Sequence, residues 1–364
     1  MKTMWFLIIL ALPLLTLAYI AWHLWVLVPL SAGWRGLLIA LLVGSLLLLF
    51  LNLGHTVDRL PLWLARWVYD VGNSSVFVLL YLALFFLTMD LGRLFHLVPR
   101  VWLCQNYYTT SSLAIALFAL FLYGNIHYYN KAREELTITT TKPLVAPVRL
   151  VLLSDLHLGY HNPRKELARW VDMINREKPD AVLIAGDIID ISIRPLLEEN
   201  MAEELRRIEA PVYACLGNHE YYSSEPLAEQ FFRDARIRLL RDSTTIAGQL
   251  CLLGRDDRTN ARRMPLSVLA QKADHTKFTI LLDHQPYDLE QAEQAGIDFQ
   301  FSGHTHYGQV WPISWITDAV YECAFGPHQR GNTHYYVSSG MGIWGGKYRI
   351  GTRSEYVVLT IQNP

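Results

Sequence analysis

The chain has 364 residues, of which 52% are hydrophobic and 18% are charged, and its formal net charge is −1. This length is sufficient for two domains. After residue 130 the chain is net acidic and shows no basic stripe, which argues against a nucleic-acid-binding protein. The charges are unevenly spread, because residues 1–130 contain only nine of the 32 basic and 33 acidic side chains. The chain therefore consists of two chemically different parts.

Residues 1–130 contain four apolar runs that approach or exceed the roughly 20 residues needed to cross a bilayer as a helix. These runs are 4–30, 34–53, 75–89 with an extension, and 112–129. The first run is longer than the apolar part of a signal peptide, and no clear small-x-small cleavage site follows it. The sequence thus predicts an all-α transmembrane domain of about four helices over residues 1–130.

The basic residues that flank these runs favour one orientation. An even number of crossings puts both ends of the segment on the same side of the membrane. That side would carry Lys2, Arg59, Arg66, Lys131 and Arg133, against Arg35, Arg93 and Arg100 on the other. The positive-inside rule then favours a cytoplasmic location for the C-terminal part.

The four cysteines form no zinc-type pair or disulfide framework, in agreement with a reducing compartment.

After a predicted linker at 131–148, short apolar runs alternate with amphipathic helical stretches. We predict buried strands at 149–154, 181–185, 212–216, 278–282 and 297–302. Helices are predicted from Asn162 onward and at 196–208, 227–232 and 286–295, with a hairpin around 246–250. The final runs, 335–338 and 356–361, have no helix between them and are predicted to be antiparallel. Residues 149–364 thus have the pattern of an α/β domain whose sheet is covered by helices.

Polar side chains follow five of these strands at the point where each strand ends. The segments are Asp155-Leu156-His157, Gly186-Asp187-Ile188-Ile189-Asp190, Gly217-Asn218-His219-Glu220, Asp283-His284 and Gly303-His304-Thr305-His306. In open α/β sheets, sites form at the carboxyl ends of strands, so these groups can converge. Each segment alone also fits a turn or a helix cap. Five such segments at five strand ends indicate one common site.

The converging side chains suit two metal ions. Six of them divide into two ligand sets, Asp155, His157 and His306 for one ion, and Asn218, His284 and His304 for the other. Asp187 can bridge the two ions with one oxygen to each. Imidazole and oxygen ligands without thiolates favour two divalent ions such as Mn, Fe, Zn, Co or Ni over calcium. Two such ions about 3.5 to 4 Å apart can position an attacking hydroxide and stabilise both oxygens of an in-line phosphoryl displacement.

In order, the motifs Asp-x-His, Gly-Asp-x-x-Asp, Gly-Asn-His-Glu, a lone His and Gly-His-x-His resemble those of the calcineurin-like metallophosphoesterases over about residues 149–364. The form Gly-His-Thr-His-x-Gly-Gln is similar to the bacterial branch of small or membrane-attached enzymes. The resemblance implies an α/β (α+β) four-layer β-sandwich flanked by helices, the ligand sets given above, and a role for His219 next to the metals. It also implies a bacterial inner membrane as the location.

Several polar residues near the ligands are predicted to have other roles. If Asn218 binds a metal through its amide oxygen, His219 is free to face the substrate as the catalytic residue. There a protonated imidazole can stabilise phosphoryl charge or protonate the leaving oxygen. The alternative is that His219 only orients a ligand. Three acidic residues are predicted to orient ligands or loops, namely Asp190, Glu220 and Asp283.

Two aromatic residues are predicted to form the substrate rim. Tyr307 stands where relatives usually have glycine, so it puts a bulky ring beside the site. Trp311 begins an apolar segment, 311–316, that can touch the membrane. Packing of these tryptophans within the protein is equally consistent with the sequence.

These features predict a membrane-anchored dinuclear phosphoesterase that hydrolyses a phosphodiester or pyrophosphate bond. The predicted partners are the bilayer and a phosphorylated lipid or lipid-linked substrate, similar to the diacylglucosamine nucleotides of related enzymes. One alternative is a general or cyclic-nucleotide phosphodiesterase whose helices are only an anchor. Another is a non-catalytic membrane scaffold on the same fold. The scaffold is disfavoured because all seven ligands and His219 are present.

Overall fold

The computed structural model describes residues 2–53 and 56–364. The chain divides into two compact units, Met1–Gly124 and Asn125–Pro364. The first unit is helical, with α1 at Lys2–Leu27, α2 at Ala32–Leu53, α3 at Leu62–Leu94 and the greater part of α4 at Tyr107–Tyr129. The second unit contains the last turn of α4 and all the strands in the described part of the chain.

Within the described residues, three helices are long and apolar enough to cross a membrane, namely Ala32–Asn52, Leu62–Leu94 and Tyr107–Tyr129. A shorter apolar stretch, Pro13–Leu27, lies in α1. The prediction of four spans is therefore approximate. The third predicted run, 75–89, proves to be the centre of a helix of 33 residues, and Asp90 lies inside that helix rather than ending it. Asp90 accepts hydrogen bonds from Tyr19 (2.8 Å) and lies 2.9 Å from His23, which links α1 to α3.

The stretch predicted as a linker contains a strand. Strand β1, Ala132–Thr139, pairs in parallel with β12, Glu355–Gln362, along its whole length. The alternating burial of β1 is typical of an edge strand with one solvated face. Residues 132–139 are therefore part of the sheet, and a chain cut at residue 140 would remove its edge.

Ten further strands lie between β1 and β12. They are β2 Val148–Leu153, β3 Ala181–Ala185, β4 Val212–Cys215, β5 Ile237–Leu239, β6 Ser243–Ala247, β7 Leu250–Gly254, β8 Phe278–Leu282, β9 Phe299–Ser302, β10 Gly326–Arg330 and β11 Thr333–Val337. They form two six-stranded sheets with the orders β1-β12-β2-β3-β4-β5 and β10-β11-β9-β8-β7-β6. The predicted hairpin around 246–250 is the antiparallel pair β6 and β7.

The remaining helices are α5 Arg164–Arg176, α6 Arg194–Glu198, α7 Met201–Leu205, α8 Asn218–Tyr222, α9 Glu225–Asp234, α10 Leu266–Ala270, α11 Glu290–Gln294 and α12 Ile313–Val320. One apolar core lies between the sheets and includes Leu183, Ile280 and Phe301. A second core packs α5, α7 and α9 against the first sheet, and a third packs α10 and α11 against the second. This layering confirms the predicted four-layer sandwich flanked by helices. Strands β3 and β8 are buried on both faces, which explains their unbroken apolar sequences.

Two details of the predicted elements differ from the structure. The helix predicted at 196–208 is broken into α6 and α7, because Asn200 between them adopts a left-handed backbone with φ +51. The final apolar runs do not pair with each other. Strand β11 pairs with β9 and β10 in the second sheet, whereas β12 pairs with β1 and β2 in the first. The chain after β11 crosses from the second sheet to the first, so β11 and β12 are consecutive in sequence but are not hydrogen-bonded to each other.

Parallel pairing brings the site-bearing strand ends to one edge. Strands β2, β3 and β4 are parallel in the first sheet, and β8 and β9 are parallel in the second. At that edge the Nδ1–H group of His284, just after β8, donates to the carbonyl oxygen of Ala185 in β3 at 2.7 Å. The two sheets are therefore joined at the position where the polar segments follow the strands.

The core between the sheets gives a first test of the fold. Phe301 in β9 is fully buried there, so Phe301→Ala removes apolar contacts and leaves a cavity. We expect the free energy of unfolding to fall by about 3–5 kcal/mol. The measurement is denaturant unfolding of the full chain in detergent. Ile246→Ala, at an edge-strand residue that is 48% exposed, is the control and should cost less than about 1 kcal/mol. Equal losses for the two variants would contradict the assigned core.

Candidate metal centre

Five of the seven predicted ligands have a left-handed backbone. The φ angles are +53 for Asp155, +43 for His157, +52 for Asp187, +70 for His304 and +47 for His306. Side chains other than glycine rarely adopt this conformation, and it costs on the order of 1–3 kcal/mol at each residue. Such strain persists only where surrounding contacts enforce it, and it is concentrated at functional sites. The backbone at the strand ends is thus shaped by the site.

The first predicted ligand set comes together in the structure. Ligand atoms of Asp155, His157 and His306 lie within 4.8 Å of one another, and all three residues are buried. The Nε2 atoms of the two histidines face each other at 3.1 Å. Asp155 also accepts the backbone N–H of His304, with its two oxygens at 3.1 and 3.2 Å. Gly303 permits this approach, because a Cβ there would collide with the Asp155 carboxylate.

The second predicted set lies beside the first. Ligand atoms of Asp187, His284 and His304 also lie within 4.8 Å of one another. Because Nδ1 of His284 is used by the Ala185 carbonyl, its Nε2 is the nitrogen available to a cation. The side-chain oxygen of Asn218 is buried and has no hydrogen-bond partner within the described part of the chain. A buried amide oxygen without a partner is costly unless something positive binds it.

Asp187 lies between the two sets, as a bridging ligand must. Its Oδ2 atom is 3.1 Å from Nε2 of His284 and 3.7 Å from Nε2 of His157. Its Oδ1 atom accepts the backbone N–H of His219 at 2.9 Å. The Oδ2 atom therefore faces both ligand sets. That each ion binds one oxygen of Asp187 stays a prediction. The backbone of α8 occupies the other oxygen.

The electrostatics of the cluster are those of a cation site. Burial opposes charge on Asp187, but the surrounding imidazoles of His284 and His219 outweigh it and hold the carboxyl pKa well below its ordinary value. Burial likewise disfavours a charged His157, yet the carboxylates of Asp155 and Asp190 raise its pKa to about 10. A cation that binds His157 must displace that proton, so metal affinity should rise with pH. Burial and the neighbouring His284 lower the pKa of His304 to about 4, which keeps its imidazole neutral and able to coordinate.

Two of the three acidic residues predicted to orient ligands or loops contact a predicted ligand or the backbone of ligand-bearing loops. Asp190 lies 3.1 Å from Nδ1 of His157, which fixes that ring with Nε2 toward the site. Glu220 is fully buried and accepts four backbone N–H groups, those of Gly217 (2.7 Å), Asp187 (3.1 Å), Ile188 (2.8 Å) and Ile189 (3.0 Å). Glu220 thereby holds the turn after β3 against the start of α8.

Asp283 faces a different environment. Its two oxygens accept hydrogen bonds from Arg255 (3.1 Å) and Arg263 (3.2 Å). Burial raises its pKa against the effect of these two guanidinium groups. Asp283 therefore links the end of β8 to the segment after β7 through these hydrogen bonds. It is the residue before the predicted ligand His284.

His219 lies beside the ligand cluster, and its catalytic role stays a prediction. Its ring contacts His157 edge-on, with 4.5 Å between ring centroids, and its side chain is 14% exposed, whereas the His157 side chain is fully buried. Nδ1 of His219 lies 3.4 Å from Asp190, so one carboxylate faces both rings. His219 thus borders the ligand cluster and is more exposed than His157.

The predicted rim residues lie beside the last ligand. Tyr307 has φ +48, which explains why glycine suits this position, and its ring stacks on Phe325 with centroids 4.9 Å apart. Its hydroxyl donates to Asp318 of α12 at 3.4 Å. Trp311 is 43% exposed and meets Trp315 edge-on at 5.3 Å. The tyrosine is therefore held in place by α12, and the tryptophans remain open to the surroundings.

Sequence reasoning missed two buried residues behind the ligands. Arg349 is fully buried and donates to the backbone carbonyl of His306 at 2.6 Å and to that of Ser339 at 2.5 Å. Asn162 donates to the backbone carbonyl of His157 at 3.0 Å. Neither residue belongs to a recognisable motif, and each lies in an irregular segment. No local signal in the sequence could have identified them.

Comparison with known proteins agrees with this site. The sequence profile described as calcineurin-like phosphoesterase matches residues 148–308, the segment that contains every predicted ligand. An uncharacterised metallophosphoesterase of Aquifex aeolicus is 30% identical over 254 residues, which cover 66% of this chain and 95% of the relative. The chain belongs to the calcineurin-like phosphoesterase family. It is therefore a metal-dependent phosphoric ester hydrolase with membrane-spanning helices.

The match to another relative extends into the helical unit of this chain. A protein of Danio rerio named transmembrane protein with metallophosphoesterase domain is 28% identical over 355 residues, covering 90% of this chain and 79% of that protein. Among solved structures, a dimetal phosphatase from Danio rerio covers 58% of this chain and 98% of its own, with 13% identity and a TM-score of 0.38. The donor set of this chain, with its orphaned Asn218 oxygen and its facing His157 and His306 nitrogens, fits the dinuclear centre typical of the family.

The bridging position of Asp187 leads to a test of the centre. Asp187→Asn keeps the side-chain shape but removes the negative charge that faces both ligand sets. We expect the affinity for Mn²⁺ to fall roughly tenfold or more at both sites. The measurement is metal analysis of the purified full-length protein after equilibrium dialysis. Asp288→Asn, at an exposed carboxylate paired with Arg258, is the control and should bind metal normally. Undiminished metal content in Asp187→Asn would refute the bridging assignment.

Proposed function

We propose that this membrane-attached phosphoesterase hydrolyses a phosphodiester or pyrophosphate bond in a lipid or lipid-linked substrate. The centre would use two divalent ions of the Mn, Fe, Zn, Co or Ni type, since its ligands are imidazoles, carboxylates and one amide without a thiolate. When bound, such ions act as Lewis acids on the phosphoryl group and activate water. The protein side chains hold the ions, orient the phosphate and supply a proton.

We assign the supply of that proton to His219. His157, His284, His304 and His306 belong to the two predicted ligand sets, and His219 does not. The His219 ring contacts His157 and is partly exposed, and its ligand atom lies within 4.8 Å of those of His157 and Asp187. The Asp190 carboxylate lies 3.4 Å from Nδ1 of His219. A protonated imidazole there can stabilise charge on the phosphoryl oxygens or protonate the leaving oxygen.

The observation that favours a lipid substrate is the exposed apolar face of α12. This helix begins five residues after the 3-10 turn His306–Gly308, and its residue Ser314 is buried against the domain. Its outward side chains are 65% exposed at Trp315, 63% at Ile316 and 55% at Val320. Apolar side chains so exposed beside a catalytic centre normally mark a binding surface.

The bilayer is the occupant that fits this surface. Tryptophan side chains favour the headgroup region of membranes, and an amphipathic helix buries its apolar face there. The last membrane-spanning helix, α4, ends at Tyr129 and β1 begins at Ala132, so the catalytic unit is attached directly after the span in the sequence. This attachment gives the unit a high local concentration at the membrane surface. With the positive-inside bias, we propose the cytoplasmic face of a bacterial inner membrane.

A substitution of His219 tests the catalytic assignment. His219→Ala should retain its metal content, because the seven ligands are unchanged, while kcat falls by about 10²–10³. The measurements are metal analysis and turnover of a soluble aryl phosphodiester. Tyr222→Phe, at an exposed residue 5.2 Å from the same ring, keeps the ring contact and serves as the control. Normal hydrolysis by a fully metallated His219→Ala protein would refute the catalytic role of His219. Absence of hydrolysis by the metallated, unmodified protein would favour the scaffold alternative.

A second experiment tests the lipid substrate. The double variant Trp315→Ser and Ile316→Ser removes two side chains that would enter the headgroup region. We expect turnover of a lipid pyrophosphate in dilute mixed micelles to fall at least about tenfold, since burial of each side chain is worth roughly 1.5–3 kcal/mol. Turnover of a soluble aryl phosphodiester should remain unchanged.

The control is Val268→Ser, at a residue on α10 that is 43% exposed and remote in sequence from every ligand motif. Equal losses with the lipid and with the soluble ester would show damage to the centre instead of lost membrane contact. Efficient hydrolysis of a soluble nucleotide without dependence on detergent would favour the general or cyclic-nucleotide phosphodiesterase.

A further inference from the structure

A buried group of polar side chains lies behind the loop that carries His157. We call it the Tyr128 cluster, and its members are Tyr128, Lys131, Asn162, Glu166 and Lys347. Tyr128 and Asn162 are fully buried, and Glu166 is 6% exposed. All five belong to the unit Asn125–Pro364, although Tyr128 also lies in the last turn of α4. The cluster thus includes the end of a membrane-spanning helix.

Tyr128 is held by several contacts at once. Its hydroxyl lies 2.7 Å from the side-chain oxygen of Asn162 and 2.6 Å from Glu166, so both acceptors share one proton. Lys347 donates to the other oxygen of Glu166 at 2.8 Å. The Nζ atom of Lys131 lies over the Tyr128 ring, 3.4 Å from its centroid. These contacts leave the ring and its hydroxyl a single position.

Asn162 connects Tyr128 to the backbone of the predicted metal ligand His157. Its amide nitrogen donates to the backbone carbonyls of Leu156 at 3.1 Å and His157 at 3.0 Å. It also approaches the carbonyl of Ile343 at 3.3 Å. With the Asn162 oxygen bound to the Tyr128 hydroxyl, the NH₂ group must face those carbonyls. If the Asn162 amide were flipped, its oxygen would face the carbonyl oxygens of Leu156 and His157, which is unfavourable. Its NH₂ group would then face the Tyr128 hydroxyl, which would have to reorient to accept a hydrogen bond.

The His157 peptide needs such support. His157 is a predicted ligand, its backbone φ is +43, and its ring is buried. Its backbone N–H donates to the carbonyl of Asp187 at 2.9 Å, and its carbonyl accepts from Asn162, so both sides of the residue are fixed by hydrogen bonds. Loss of the Asn162 contact would allow the strained backbone to relax and move Nε2 away from the ion position.

We propose that Tyr128 is a positioning residue for the metal centre, acting through the Asn162 amide on the His157 backbone. The inference rests on the metal centre of the proposed function but not on its lipid substrate. It means that the final turn of a membrane-spanning helix is required for the geometry of a ligand. The helices are then more than an anchor, because the catalytic unit takes part of its internal support from α4.

The test uses Tyr128→Phe in the full-length protein in detergent. This variant retains the ring and its lysine contact but removes the hydroxyl. Titration of metal-stripped protein with Mn²⁺ alone should show about tenfold weaker binding, at the low end of the effects known for residues that orient a metal ligand. Turnover of a soluble aryl phosphodiester should show reduced kcat at saturating Mn²⁺, with KM close to that of the unmodified protein.

Tyr129→Phe is the matched control on the same helix turn. Tyr129 is 46% exposed, and its hydroxyl has a long contact of 3.4 Å with Lys347, so this variant should bind Mn²⁺ normally. Asn162→Ala should weaken Mn²⁺ binding at least as much as Tyr128→Phe. The double variant should be no weaker than Asn162→Ala alone, because the two residues act in series.

Two results would overturn the proposal. One is unchanged Mn²⁺ affinity in Tyr128→Phe, even if the metal-free protein melts at a lower temperature, since that pattern shows a role in stability alone. The other is full additivity of the two substitutions. If Asn162→Ala fails to fold, the proposal is still tested by comparing the Mn²⁺ affinity of Tyr128→Phe with that of Tyr129→Phe. Because Mn²⁺ binding is measured without substrate, failure of the lipid assay would leave this result unaffected.

Discussion

The functional site depends on the contact between the ends of β3 and β8. There the carbonyl of Ala185 accepts the Nδ1–H of His284, and Nε2 of His284 then faces Oδ2 of Asp187 at 3.1 Å. Asp187 follows a strand of one sheet and His284 follows a strand of the other, so the ligand pair exists only when the sandwich is closed. Cations that bind this arrangement must stabilise the folded protein over the unfolded chain.

The ligands are held in costly conformations by a buried polar framework. Glu220 binds the N–H groups after β3, Arg349 binds the carbonyl of His306, and Asn162 binds the carbonyl of His157. These side chains touch backbone atoms rather than ligand side chains. The left-handed turns they support direct imidazoles and carboxylates inward, where cations offset their burial. Strain at the centre and hydrogen bonding behind it are therefore two parts of one arrangement.

Two features connect this framework with a membrane. On one side, α12 presents Trp315 and Ile316 outward a few residues after His306. On another, Tyr128 in the last turn of α4 bonds to the side chain that supports His157. The first would bring a lipid phosphate to the centre, and the second would make the centre depend on the final helix. Both proposals treat the helices as part of the enzyme rather than as a detachable anchor.

The sequence by itself determined the membrane helices, the strand ends and the identity of the predicted ligands, because each is expressed in a local pattern of apolar and polar residues. Only the tertiary structure decided that residues 132–139 form an edge strand, that β11 and β12 join different sheets, and that Oδ2 of Asp187 faces both ligand sets. It alone revealed Arg349, Asn162 and Tyr128 behind the ligands. These features arise from contacts between segments far apart in the chain. Such contacts leave no periodicity in a single sequence, since either partner alone resembles an ordinary buried or turn residue.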